Sequence, residues 1–166
     1  GLIRSGALGA LPDKLGSMLN IAYNNSERLV LLINDILDME KIQAGKMDFH
    51  MQAIEVASLL KSAMEANKGY GDEHGVTFGC ECFDDTIKVL GDKDRLMQVL
   101  SNLMSNAAKF SPEGEQVDLS VARRGDTIRM SVKDNGPGIP EEFRESIFEK
   151  FSQADSSDTR QKGGTG

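Results

Sequence analysis

Histidine and cysteine are scarce in this chain, two of each among 166 residues. No apolar run approaches the roughly eighteen residues that cross a bilayer, and no signal-like segment is present. Composition therefore implies a cytoplasmic module, and any membrane attachment of the parent protein would lie outside this sequence. Cys80 and Cys82 alternate in an expected strand and so share a face. Two thiols alone make a poor zinc site, and they read as buried or half-buried free thiols of a reducing compartment. His50 falls in an expected strand and His74 in a loop after a helix, and both read as structural or surface residues. Positive charge is also short, 19 Lys and Arg against 26 Asp and Glu for a net charge of −7. That balance argues against nucleic acid or an anionic membrane as the main partner. There are no repeats and no low-complexity tract.

What is present begins with a heptad seam. Leu15, Leu19, Ala22, Ser26, Leu29, Ile33 and Ile36 recur at alternating spacings of four and three, just after Pro12 and Asp13, which suit a helix start. Val30 and Leu37 widen the stripe. A helix of roughly thirty residues ending near Gly45 cannot bury two adjacent apolar stripes by itself, so it calls for a hairpin partner and a second protomer. The alternative is a long helix packed only on the domain that follows. Beyond Gly45 the pattern turns to mixed α and β, which places a domain boundary there, with residues 1–45 before it and 46–166 after. Strands are expected over 47–52, 76–83 and 86–90. A helix is expected over 54–67, broken by Gly69, Gly71 and Gly75. Val117 to Ala122 and Thr127 to Lys133 flank Arg123-Arg124-Gly125-Asp126, a tight hairpin signal, and short helical turns are expected over 141–149.

Three stretches carry chemistry. The first is Asn102-Leu-Met-Ser-Asn106-Ala-Ala-Lys109-Phe110, on a helix that Asp92 or Asp94 can cap and that bears the apolar stripe Leu96, Val99, Leu100, Leu103, Met104. Asn102, Asn106 and Lys109 fall on one helix face. An amide oxygen suits Mg²⁺, which takes few protein oxygens and leaves its other positions to water and phosphate, so Asn106 could hold the metal. Lys109 supplies a point charge one turn on. The competing reading is a solvated polar face. The second stretch is Asp134-Asn-Gly136-Pro-Gly138-Ile139-Pro140, entered directly from a strand whose Ile128, Met130 and Val132 alternate with polar residues. Asp134 can accept a hydrogen bond from an exocyclic amine such as that of adenine, while Gly136 and Gly138 let backbone approach a planar ring. An ordinary Asn-Gly-Pro-Gly turn competes with that reading. The third is the terminal Gly163-Gly164-Thr165-Gly166. Taken in order, the three favour an ATP pocket.

These stretches resemble the N box, G1 box and start of the G2 box of sensor histidine kinases of two-component systems. Ile147-Phe148-Glu-Lys-Phe151 resembles that family's F box, and 152–166 its ATP lid. Asn25-Ser26-Glu27-Arg28-Leu29-Val-Leu-Leu-Ile33-Asn34-Asp35-Ile36-Leu37-Asp38-Met-Glu40-Lys41 resembles the second helix of its dimerisation and histidine-phosphotransfer hairpin. The resemblance implies an α+β chain, with a long-helix hairpin that forms a four-helix bundle on dimerisation, then an α/β sandwich of the GHKL, or Bergerat, ATP-binding type. It implies that Asn106 coordinates Mg²⁺, Lys109 contacts phosphate and Asp134 recognises the adenine amine. Gly136 and Gly138 would shape the adenine wall beside Ile139, and Asn102 belongs to the same site. Gly164, Thr165 and Gly166 would begin a phosphate-facing turn, with Arg160 and Lys162 as lid contacts to phosphate. Phe148 and Phe151 would anchor the lid in the core.

Two departures from the family pattern bear on activity. The H box, a His followed by Glu, Leu, Arg, Thr and Pro, is absent, and neither His50 nor His74 has that context. The sequence also stops at Gly166, where the family continues into a Leu-Gly-Leu helix and at least one strand. The expectation is a piece of something longer that cannot autophosphorylate by itself. The related ATP hydrolases of the gyrase, Hsp90 and MutL group place a Glu where Asn102 stands. An amide cannot act as a general base, so Asn102 favours phosphotransfer over hydrolysis. A non-catalytic dimeric nucleotide-binding scaffold is the other alternative. The resulting expectation is a sensor histidine kinase core that uses ATP and Mg²⁺. It would form a homodimer through the hairpin and pass a phosphoryl group from histidine to the receiver-domain aspartate of a response regulator.

Overall fold

The computed structural model describes residues 13–81 and 86–147, in two compact units that divide between Asp48 and Phe49. Phe148, Phe151, Arg160, Lys162, Gly164, Thr165 and Gly166, like Cys82 and the first helix of the expected hairpin, lie outside the described residues.

The first unit contains helix α1, Asp13–Gln43. Its stop is chemical. Gly45 adopts φ +63°, and the amides of Gly45 and Lys46 donate to the carbonyls of Ile42 and Lys41 at 3.1 and 2.9 Å, which closes the last turn in the left-handed fashion that glycine tolerates. Of the heptad seam, Leu15, Leu29, Ile33 and Ile36 are exposed, as are the flanking Val30 and Leu37. The Ser26 hydroxyl donates to the Ala22 carbonyl one turn back at 2.9 Å, removing a polar group from the stripe.

The second unit runs β1 (Gln52–Glu55), α2 (Val56–His74), β2 (Thr77–Glu81), β3 (Lys88–Gly91), α3 (Lys93–Phe110), β4 (Gln116–Arg124), β5 (Thr127–Lys133) and a short 3₁₀ turn, Glu141–Phe143. β1 pairs antiparallel with β3, while β2, β4 and β5 form a second sheet in which β2 and β4 are parallel and β4 and β5 antiparallel. The expected strand over 47–52 is displaced. β3 offers only Lys88 to Gly91 as partners, so the ladder covers Gln52 to Glu55, and the His50 amide instead donates to the Asp92 carboxylate at 2.8 Å. Helix α2 passes through Gly69 and Gly71 rather than ending before them. A side chain at Gly71 would come within 2.9 Å of the Phe78 ring and the Val76 carbonyl, so close packing keeps a glycine inside the helix against its propensity. His74 is therefore the last helical residue, its ring stacked on Tyr70 at 4.4 Å between centroids, and Gly75 at φ +67° ends the helix.

The core lies where α2 and α3 meet β4. Leu59, Leu60, Met104, Val117 and Leu119 are fully buried, and the small residues Ala63, Ala107 and Ala108 let backbone approach closely. Each fully buried large apolar side chain contributes about 1.5–3 kcal/mol. The apolar stripe expected on α3 divides. Leu100 and Met104 are buried, whereas Val99 and Leu103 are exposed and, with Leu96, Ile128 and Met130, line a groove of about 390 Å³ between α3 and β5.

Asp92 is the N-cap of α3. Its Oδ1 accepts from the amides of Asp94 and Arg95 at 3.0 and 3.2 Å. Hydrogen bonds from the backbone of His50 first, then of Arg95, hold its carboxyl below the ordinary 3.8. A lowered carboxyl stabilises the folded state fully above its ordinary value, and that contribution is lost as pH falls through the lowered one. Asp92→Ala is expected to lower the melting midpoint at neutral pH by a few degrees and to flatten the acid limb of a stability profile below about pH 4. Thermal melts from pH 7 to pH 3 that superimpose for variant and parent would refute the cap.

Candidate functional site

The end of strand β5 and the end of helix α3 are brought together by one glycine. β5 stops at Lys133, and Asp134 opens the loop that follows. Its Oδ1 accepts the Gly136 amide at 2.8 Å, the two-residue loop that aspartate favours. Gly136 in turn lies against the last carbonyl of α3. A Cβ there would stand 2.7 Å from the Phe110 oxygen and 2.8 Å from Asp134 Oδ1. Within the protein itself, helix α3 and the Asp134 carboxylate already leave no room for a side chain at 136. Gly138 differs. Open space surrounds it, and its glycine answers a backbone at φ +76°.

Sequence reasoning missed two residues of this junction. The Asn135 side chain donates to Glu115 Oε2 at 3.0 Å and to the Gln116 carbonyl at 3.3 Å, tying the loop to the start of β4. Phe110 supplies the carbonyl that seats Gly136. Both stood inside the stretches already singled out, but Asn135 lies 20 positions from Glu115 and Phe110 lies 26 from Gly136 (136 − 110), and nothing local announces the pairing.

The helix residues separate by environment. Asn102 and Asn106 are exposed one turn apart, each able to offer a neutral amide oxygen to solvent or ligand. Lys109 is only 8% exposed, and its ammonium sits 4.9 Å from the centroid of the Phe110 ring, within cation–π range. Its backbone directly precedes Phe110, whose carbonyl faces Gly136. Asp134, Gly138 and Ile139 are exposed. The structure therefore assembles Asp134, Gly136 and the Lys109–Phe110 end of α3, while Asn102 lies two turns back along the helix, its carbonyl accepting from the Ser105 hydroxyl at 3.1 Å.

Among the described residues no group of three or more His, Cys, Asp and Glu could hold a metal ion. A protein-caged cation does not fit this donor set. A magnesium ion bound mainly by phosphate and water, with Asn106 as a single protein ligand, does fit. An exposed carboxylate with one oxygen anchored by Gly136 likewise suits an incoming exocyclic amine. No helix among the described residues is long and apolar enough to cross a membrane.

Residues 91–166 match the family described as histidine kinase-, DNA gyrase B-, and HSP90-like ATPase. The chain is 35% identical over 162 residues to the circadian input-output histidine kinase CikA of Synechococcus elongatus, covering 96% of this chain and 22% of that protein. Full-length ShkA, solved in complex with AMPPNP, is 28% identical with a TM-score of 0.73, over 87% of this chain and 31% of that one. Histidine kinase ThkA, solved in complex with the response regulator protein TrrA, superposes with a TM-score of 0.68 at 24% identity, over 92% of this chain and 44% of that one, a likeness that shows the fold. The chain spans between 10% and 24% of the length of several curated relatives that it matches. These likenesses establish the GHKL-type α/β fold for the second unit. The expected helical hairpin is not evidenced, since the described part of the first unit is α1 alone.

Proposed function

Since residues 91–166 belong to the histidine kinase-, DNA gyrase B-, and HSP90-like ATPase family and the chain is similar along most of its length to histidine kinases, we propose that it is the ATP-binding core of a sensor histidine kinase. One observation supports this above the rest: Gly136 seats the Asp134 loop on the last carbonyl of α3, so a base-recognising carboxylate and a helix bearing Asn106 and Lys109 form one body. In this reading Asp134 accepts the adenine amine, Gly138 and Ile139 lie along the ring, and Asn106 is the magnesium ligand. Lys109, beside Phe110, faces the phosphates from the helix end. Bound ATP with its magnesium ion would supply the transferable phosphoryl group. Asn102 carries an amide, which cannot take a proton from water, so the site favours transfer over hydrolysis. Arg160, Gly164, Thr165 and Gly166 complete the proposed phosphate side.

The parent would autophosphorylate a histidine and relay the group to a response-regulator aspartate. A related kinase has been solved with its regulator, and a labelled phosphoryl chase from the full-length parent to a receiver domain checks the relay. We assign residues 1–45 to dimerisation and 46–166 to nucleotide binding. The exposed seam of α1 supports a homodimer. Sedimentation equilibrium is expected to show a concentration-dependent dimer that Ile33→Asp dissociates, and a monomer throughout would refute it.

Calorimetric titration tests the site. The parent chain is expected to bind Mg·ATP saturably. Asn106→Ala should weaken that binding roughly tenfold, about 1.4 kcal/mol, while leaving metal-free adenosine unaffected. Equal loss for both ligands would remove Asn106 from the metal, and no binding by a folded parent chain would overturn the nucleotide reading.

A further inference from the structure

Helix α3 rests on α2 largely through apolar side chains, which offer no directional contact to fix its rotation and axial register. Leu60, Ala63, Leu100 and Met104 share one buried cluster there. Small and flexible apolar residues can slide past one another with little loss, and methionine adapts to most neighbours. One polar group interrupts the smooth surface. Asn67, on α2 and 8% exposed, donates from Nδ2 to the Ala63 carbonyl at 2.8 Å and to the Ser101 hydroxyl at 3.1 Å, and lies 3.9 Å from Met104 Sδ. Ser101 immediately precedes Asn102 and stands just over one turn before Asn106.

We propose that Asn67 is a positioning residue for the nucleotide site, a pin that sets the register of α3 so that Asn102 and Asn106 present their amides where phosphate and metal arrive. This rests on the nucleotide reading above. Parting Asn67 from Ser101 leaves one Nδ2 hydrogen with no oxygen partner while the other stays on the Ala63 carbonyl, so a rotation or slide of α3 that breaks the contact carries a penalty that apolar contacts do not impose directionally. A single buried polar group that selects one register among near-equivalent apolar packings is the best-attested use of such groups. The pin acts at a distance: Asn67 lies in the α2–α3 interface, and the amides it orients are exposed.

The test separates positioning from bulk stability. Asn67→Leu replaces the amide with an apolar group of similar size and is expected to melt at or above the parent temperature, yet to bind Mg·ATP at least about fivefold more weakly with adenosine binding retained. Ser101→Ala, a milder change to the same contact, should show the same metal-selective loss, and the double variant should lose no more than either alone. Equal loss for Mg·ATP and adenosine, or no loss, overturns the proposal. Backbone amide exchange without nucleotide decides the pin independently. Faster exchange over 99–106 in either variant supports it, and an unchanged profile overturns it. Should the parent chain bind no nucleotide, the proposed function falls while the exchange result still judges the pin.

Discussion

Asp134→Ala is expected to weaken ATP binding by roughly ten- to a hundredfold while moving the melting temperature little. The side chain is exposed, so its removal opens no cavity. What it removes in the proposed site is a hydrogen bond from the adenine amine to a carboxylate, a type worth about 1.5–3 kcal/mol. It also frees the Gly136 amide, now held at 2.8 Å, and loosens the loop that seats on α3. Asp134→Asn keeps an acceptor of the same shape without the charge and should fall between alanine and the parent. GTP, whose base presents an oxygen where adenine presents an amine, should bind poorly to the parent and no worse to the variant. Parallel titrations with ATP and GTP check this. An Asp134→Ala protein with undiminished ATP affinity would place base recognition elsewhere.

Gly136→Ala should do broader damage. Its new methyl would stand 2.7 Å from the Phe110 carbonyl oxygen and 2.8 Å from Asp134 Oδ1, closer than side chains come, and the first obstacle is backbone that cannot swing aside. The loop must lift from the helix or the helix must shift. Overpacking of this kind costs about 1–3 kcal/mol, and nucleotide binding should fall further because the Asp134 loop and the end of α3 would no longer be held together. Gly138→Ala is the comparison within the same proposed ring wall. It meets open space in the protein and carries the strain of its φ of +76°, about 1–2 kcal/mol. Thermal melts and Mg·ATP titrations on the pair should rank Gly136→Ala as the more harmful. The reverse ranking would mean that the loop does not bear on α3.

Much of this was legible in the residues. The hairpin across Arg123 to Asp126 needed a left-handed residue at its tip, and Gly125 has it at φ +61°. An aspartate at 92 or 94 ahead of a helical apolar stripe announced a cap, and Asp92 is the one that caps. Other features depended on contacts between distant residues. The strand expected over 47–52 finds a partner only at Gln52, because β3 is only four residues long. Gly71 carried a break signal that packing against Phe78 overrode, and the helix runs through Gly69 as well. Val99 and Leu103 had the spacing of core residues, yet spacing says which face a side chain shares and not whether anything covers it.

By itself the sequence determined the local chemistry: a capped helix carrying two amides and a lysine, and a strand running into an Asp-Asn-Gly-Pro-Gly loop, since caps, turns and periodicity depend on near neighbours. Only the tertiary structure decided how those pieces bear on one another. It shows that a side chain at Gly136 would run into the Phe110 carbonyl, that Asn135 bridges to Glu115, and that Lys109 is buried with its ammonium near an aromatic ring while Asn102 and Asn106 stay exposed. Each of the first two joins residues about twenty or more positions apart, and burial is settled by what packs against a side chain, which no local pattern encodes.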